Sequence, residues 1–369
     1  FYALILGLLV GGIGVAISGS LPRWLRADPG VRANATTYFR IIACNMPILL
    51  QVNVISGLYR GSGDTRTPMI LNTTLSILNT VFNFFFIYET RFSERLGFTI
   101  PGAGLGVAGA AWGTLLATLV TALLALASLF RGRRGLKIQK TTPLFLSKKE
   151  GRRLFELAWP VGLEQVARSS AQVALTVIIA QLGDVAVAAN YLGINAESLC
   201  YLPAYGLSAA STALVGQAVG AKKRDLARSY GRVATVIGML MMAGTGIILF
   251  IFAEPLMRIF TPDAEVIALG KKVLRIEAFA EPLFGASIVI SGVLRGAGDT
   301  RAPFLINLIS MWSVRLVAAY FLAPRFGLIG VWIAMAAELC VRGLIFIIRL
   351  RRERWLDRVF PANEATVNS

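Results

Sequence analysis

Glu164 and Arg168 stand four residues apart in the run "LAWPVGLEQVARSS". On a helix that spacing puts a carboxylate and a guanidinium on one face, one turn apart. Two readings are open. The pair is either a neutralised structural contact, or Glu164 is a cation or proton site whose acidity Arg168 tunes. Glu277 and Glu281 repeat the spacing with like charges. Two carboxyls one turn apart compete for ionisation, which suits proton coupling. In the alternative, Glu277 is interfacial and Glu281 pairs with Arg315. Glu281 precedes Pro282 in what the pattern makes mid-helix. Arg315 and the pair Glu338/Arg342 read foremost as structural charge pairing. Asn72, Asn79 and Asn83 form an amide row in "LNTTLSILNTVFNFFF", with Asn79 and Asn83 on one face. Interhelical hydrogen bonding explains such a row as readily as ligation does.

Other chemistry is excluded by residue type. Histidine is absent, so there is no imidazole acid–base or metal chemistry. Cys44, Cys200 and Cys340 lie far apart in apolar runs, without zinc, redox or disulfide spacing. No nucleophile motif points to an enzyme, and no cofactor is expected beyond Na⁺ or H⁺ as a coupling ion.

The elements that carry these residues are apolar. The chain has 369 residues, 56% hydrophobic and 15% charged, with mean hydropathy +0.66. Soluble domains carry about 25% charged residues. Runs such as "VIGMLMMAGTGIILFIF" approach the ~20 residues that span a bilayer as a helix. The pattern predicts ten helices: about 1–21, 33–59, 68–88, 104–129, 154–181, 185–216, 232–253, 266–294, 303–323 and 327–348. In that setting every buried ionisable residue is a functional candidate. The formal charge of +17 does not indicate a nucleic-acid partner, because the cations cluster at the ends of apolar runs. That distribution is a topology signal. Segment 131–153, "RGRRGLKIQKTTPLFLSKKEGRR", sets nine cations against Glu150 and reads as a cytoplasmic linker. The loops at 221–232 and 349–358 are basic too, which places the C-terminus in the cytoplasm. Arg23, Arg26 and Arg32 in the first outside loop, and Arg258, Lys271 and Lys272 in 254–272, run against the bias.

The chain repeats itself. "GLYRGSGDTRTP" at 57–68 and "GVLRGAGDTRAP" at 292–303 share eight of twelve residues. At the same offset of 235, Pro47 aligns with Pro282 and Asn72 with Asn307. Arg60, Gly61, Gly63, Asp64 and Thr65 thus recur as Arg295, Gly296, Gly298, Asp299 and Thr300. No strand precedes these turns and lysine is absent, so a nucleotide loop is a poor reading. They read as cytoplasmic turns bracing adjacent helix ends. Both copies face one side, the mark of a parallel repeat with substrate bound between halves. Residues 1–130 form the first lobe, 131–153 the linker, 154–348 the second lobe and 349–369 a cytoplasmic tail. From Leu154 to Gly292 there are 138 residues, but only 56 precede Gly57. That difference is worth about two helices, so the expectation is ten helices of a six-plus-six arrangement. Glu281 aligns with Met46, so its charge is not needed to build the fold. It is the leading single candidate.

These motifs resemble those of the multidrug and toxic compound extrusion (MATE) family. So do "LAWPVGLEQ", "LPAYGLSAASTALVGQAVGAKKRDLA" and "GAGLGVAGAAWGTLLATL". The resemblance implies a two-lobed, all-α antiporter of the inner or plasma membrane that exports organic cations against Na⁺ or H⁺, acting as a monomer. It also implies a first-lobe cation site, whose matching positions are Asn79, Asn83 and Thr114. Here an Asn stands where the family has an Asp, and an amide can ligate Na⁺ but carries no proton. In the second lobe the family's Na⁺-site acids fall on Arg168 and Phe284, with Glu164 and Glu281 nearby. The alternative on a related fold is a flippase for lipid-linked sugars or lipids, whose cationic cavity would have only Arg168, Arg315 and Arg342 to draw on.

Overall fold

The structure is a computed structural model that describes residues 2–24, 28–93, 98–132, 147–357 and 359–360. It comprises two compact units, Phe1–Leu146 and Ser147–Ser369.

The first unit holds α1 (Tyr2–Ile17), the short α2 (Leu21–Trp24), α3 (Pro29–Gly61), α4 (Arg66–Ile87) and α5 (Gly106–Arg131). α3 packs against α1 and α5, and α5 packs against α4. Asp28 starts α3 by accepting a hydrogen bond from the Gly30 amide at 2.8 Å, with Pro29 as first helical residue. Proline suits that position because it lacks only an N–H that would go unpaired anyway. Between α4 and α5 the chain forms an antiparallel hairpin, β1 (Glu89–Ser93) and β2 (Phe98–Ala103), which the helical pattern does not anticipate.

The second unit holds α6 (Lys148–Ala180), α7 (Asp184–Gly220), α8 (Arg224–Phe260), α9 (Ala264–Ala278), α10 (Glu281–Gly296), α11 (Arg301–Ile309), α12 (Val317–Arg351) and α13 (Arg354–Asp357). A π-helical turn, Ser310–Leu316, joins α11 to α12. α10 is buried along most of its length and packs on α7, α8 and α12. Glycines permit that: a Cβ on Gly292 would strike the Ser208 carbonyl, and one on Gly343 the Leu283 carbonyl. Such close backbone contact drives helix association where solvent gives no hydrophobic force.

Two expectations change. The end of the polar segment 131–153 is helix, not linker. Ser147 and Glu150 make a reciprocal cap, Ser147 N to Glu150 Oε2 at 3.0 Å and Glu150 N to Ser147 Oγ at 3.3 Å, which starts α6 at Lys148. Its cations Arg133, Arg134, Lys137 and Lys140 lie outside the described residues, as do Arg26, Arg358 and the tail beyond Phe360. Second, the single helix expected over 266–294 is two. Pro282 has no N–H for the Ala278 carbonyl and its ring crowds that group, so α9 ends at Ala278 and Glu281 is the first residue of α10. The break expected between the last two spans, at 323–327, falls at Gly327, with φ 59° and ψ −142°, a conformation glycine tolerates. Gly330 packs on the Leu322 carbonyl, although eight residues of straight helix would span about 12 Å. The chain therefore doubles back.

The repeated motif folds alike in both units. Gly63 and Gly298 adopt φ of 89° and 81°. Asp64 N donates to Tyr59 O at 2.8 Å, and Asp299 N to Leu294 O at 2.9 Å. Each aspartate then accepts backbone N–H groups of the following helix, Asp64 from Arg66 and Thr67, Asp299 from Ala302. The helix-bracing role expected of these turns rests on those bonds.

Candidate functional site

The second unit contains a cavity of about 310 Å³ whose lining includes Glu197, Glu277, Arg168, Arg315, Arg342 and Phe284. α7 supplies Glu197, α9 Glu277, and the π turn Arg315. A π turn rotates the residues after it relative to an α-helix, and such turns recur at functional sites. Glu281 lies just outside the lining. It is fully buried, with its Cβ facing Gly246 of α8, where a β-carbon would stand 3.1 Å away. Glu197, Glu277 and Glu281 are within electrostatic reach of one another.

The acids fall into two groups by partner. Glu338 is held: Arg315 Nη2 donates to its Oε2 at 2.6 Å and Nε at 3.1 Å, Arg342 approaches Oε1 at 3.3 Å, and Ser310 donates its hydroxyl. Arg342 also lies over the Phe284 ring at 5.4 Å. Thus Arg315 is spent on Glu338 and does not pair with Glu281. Glu164 is held as well. Arg168 donates to it at 3.0 Å, Arg295 at 2.8 and 2.9 Å, and Asn307 at 2.7 Å. Arg168 also donates to the Tyr205 hydroxyl at 2.9 Å. The motif arginine Arg295 therefore does more than shape a turn, because it locks α10 to α6. Glu277 and Glu281 form the other group. Both are completely buried, and among the described residues none of their four carboxyl oxygens has a hydrogen-bond partner.

In the first unit Asn79, Asn83 and Thr114 come together. Asn83 Nδ2 donates to Asn79 Oδ1 at 3.1 Å, and Asn79 Nδ2 donates to Thr114 Oγ1 at 2.9 Å. Gly113 brings α5 close enough for this, since a Cβ there would collide with the Asn83 side chain. Asn45 of α3 extends the polar seam by donating to Thr118 at 3.2 Å. Among the described residues motif residue Arg60 makes no ion pair like Arg295–Glu164, so the two copies differ in what their arginine reaches.

Sequence reasoning missed Glu197 and Asn45. Glu197 carried the signal, a carboxylate in the apolar run "LGINAESLCYLPAYG". It has no charged residue four positions away, and pair spacing was the guide.

Long apolar helices with charges buried among them define a multi-pass membrane protein whose ionisable interior marks a transport path. The chain belongs to the MatE family, whose model matches residues 1–85 and 160–321. It is therefore a MATE-type transporter and not an enzyme. It is 30% identical over 338 residues to "Probable multidrug resistance protein NorM" of Thermotoga maritima, covering 90% of this chain and 70% of that one. It is 28% identical to "Multidrug resistance protein MdtK" of Edwardsiella ictaluri, covering 90% and 71%. Its fold matches a structure described as "Crystal structure of MATE in the bent conformation", with TM-score 0.85, 23% identity, and 97% and 77% coverage. An "Outward-facing conformation of a multidrug resistance MATE family transporter of the MOP superfamily" matches with TM-score 0.85 over 97% and 78%.

Proposed function

We propose that this chain is a secondary active antiporter that exports organic cations from the cell by alternating access, with Glu277 and Glu281 as the coupling acids and Glu197 as their partner. The observation that supports this reading most is the pair of fully buried, unpartnered carboxyls. An ionised carboxylate left in that state costs several kcal/mol, so a proton or a cation must neutralise it. A proton does so without further ligands. Sodium asks for several oxygens, and no group of three His, Cys, Asp or Glu side chains that could hold a metal ion comes together among the described residues, at these acids included. The proton is thus the favoured coupling ion. Its release would leave negative charge beside a cavity able to attract an organic cation, and rebinding would expel that cation. The names of the relatives, multidrug resistance proteins, fit such a substrate class. A flippase would want free cationic charge. The arginines of the cavity are instead each tied to a carboxylate, Arg168 to Glu164, and Arg315 and Arg342 to Glu338.

The test is ethidium efflux from proteoliposomes under separately imposed H⁺ and Na⁺ gradients. An H⁺ gradient is expected to drive efflux and a Na⁺ gradient alone is not. Efflux under Na⁺ alone would move the coupling ion to Na⁺. Transport indifferent to both gradients would sink the antiport reading.

A further inference from the structure

The second unit has another cavity, about 440 Å³, at the end that carries the repeated turn. It is remote in character from the acidic site. Arg301 at the start of α11, Arg352 after α12 and Arg354 in α13 contribute cations, and Leu305, Ile345 and Ile348 contribute an apolar wall. The order along the chain sorts the two. Leu305 lies one turn into α11 from Arg301, and Ile348 one turn into α12 from Arg352. Cations therefore sit at the helix ends and aliphatic side chains deeper along the same faces. Leu305 and Ile348 are about half exposed, at 49% and 50%.

The acids near those cations are already engaged. Asp299, itself in the cavity lining, accepts at 2.8 Å from Arg349, which also lines the cavity. Glu353 pairs with Arg228 at 2.6 Å and Arg232 at 2.8 Å, and Asp357 with Arg224 at 2.7 Å, all on α8. Glu353 adopts φ 53°, uncommon for a residue with a side chain, and makes both of its ion pairs from that conformation. Among the described residues Arg301, Arg352 and Arg354 have no acidic partner. Three guanidiniums lining one apolar-walled cavity match a phosphate, which arginine binds through paired N–H donors. The aliphatic wall below matches an acyl chain. Loop charge places this end of the unit at the cytoplasmic leaflet, where anionic lipids reside.

We propose that this cavity is a binding site for an anionic phospholipid, its headgroup phosphate held by Arg301, Arg352 and Arg354 and an acyl chain lying along Leu305, Ile345 and Ile348. The lipid would tie the start of α11 to the end of α12 and so brace the repeated turn from the membrane side.

The test titrates the purified full chain in detergent with phosphatidylglycerol, phosphatidylcholine and inorganic phosphate, read by native mass spectrometry. Each cation near a lipid surface is worth about fivefold in affinity, so three should favour phosphatidylglycerol over phosphatidylcholine by roughly 100-fold. R301Q/R352Q/R354Q should cut that preference to a few-fold, while K148Q/K149Q, which removes exposed cations at the start of α6, should leave it intact. If the triple variant does not fold, each single substitution should lose about fivefold. An unchanged preference in the arginine variants overturns the proposal. So does inorganic phosphate displacing phosphatidylglycerol at equal affinity, which would make the site one for a free anion.

Discussion

The two units share a folded motif but fill their interiors differently. In the first, amides and hydroxyls meet across α3, α4 and α5: Asn45 to Thr118, and Asn83 to Asn79 to Thr114. In the second, acids and guanidiniums are buried together. The same turn at Gly63 and Gly298 forms in both. Apart from Asp64 at the turn, the buried side chains described in the first unit are uncharged, and the further charges of the second unit need another explanation. Part of it is structural, because Glu164 and Glu338 are saturated by arginines. What structure does not account for is Glu277 and Glu281, and that residue of unexplained charge is where coupling should reside.

The largest expected effect follows. Glu281→Gln and Glu277→Gln should each bring H⁺-driven ethidium efflux to background, with normal membrane insertion checked by fractionation. Asn79→Ala should leave efflux measurable and still driven by H⁺. Wild-type efflux in both glutamine variants, or loss of H⁺ coupling in the asparagine variant, would reverse the roles assigned to the units. Next in size is the split among the acids. Arg315→Met takes the shorter guanidinium contact from buried Glu338, leaving it Arg342 and Ser310, and should lower stability by up to about 3 kcal/mol. Arg315→Met with Glu338→Met leaves buried Arg342 without its carboxylate and should recover little, whereas Arg315→Met, Glu338→Met and Arg342→Met together should recover most of the loss, because replacing a whole buried ion cluster by apolar side chains is often near neutral. Thermal unfolding of the full chain in detergent reads all three. If the triple variant is as unstable as the single one, Glu338 is not the group that Arg315 neutralises.

Much of this was legible in the sequence, for identifiable reasons. Apolar run length fixes membrane helices, and the twelve-residue repeat exposes the duplicated turn, because both depend on local residue types. Glu164/Arg168 and Asn79/Asn83 are visible because helical spacing alone makes them neighbours. Contacts across the fold are not visible that way. Arg295 reaches Glu164 across 131 residues of chain and Arg315 reaches Glu338 across 23. The sequence offered Arg315 to Glu281 instead, since nothing local shows that a π turn aims it at α12. Pro282 was read as lying within a helix, yet it ends one. That moves Glu281 from a helix face to a helix start, where it does not simply continue the face of Glu277.

The smallest effect tests the neutral unit. Asn79 sits at the middle of its row, accepting from Asn83 and donating to Thr114. Asn79→Ala removes both bonds. Thr114 keeps a partner, because its hydroxyl also donates to Ala110 O at 2.9 Å. Side-chain hydrogen bonds between membrane helices average about 0.6 kcal/mol, so the loss should be near 1 kcal/mol. That value should be the same in Na⁺ and in choline buffer if the row only joins α4 to α5. A stabilisation by Na⁺ that Asn79→Ala abolishes would show that the row ligates the ion. The two units would then both be coupling sites, one built from amides and the other from acids, and the contrast between them would be one of ion and not of role.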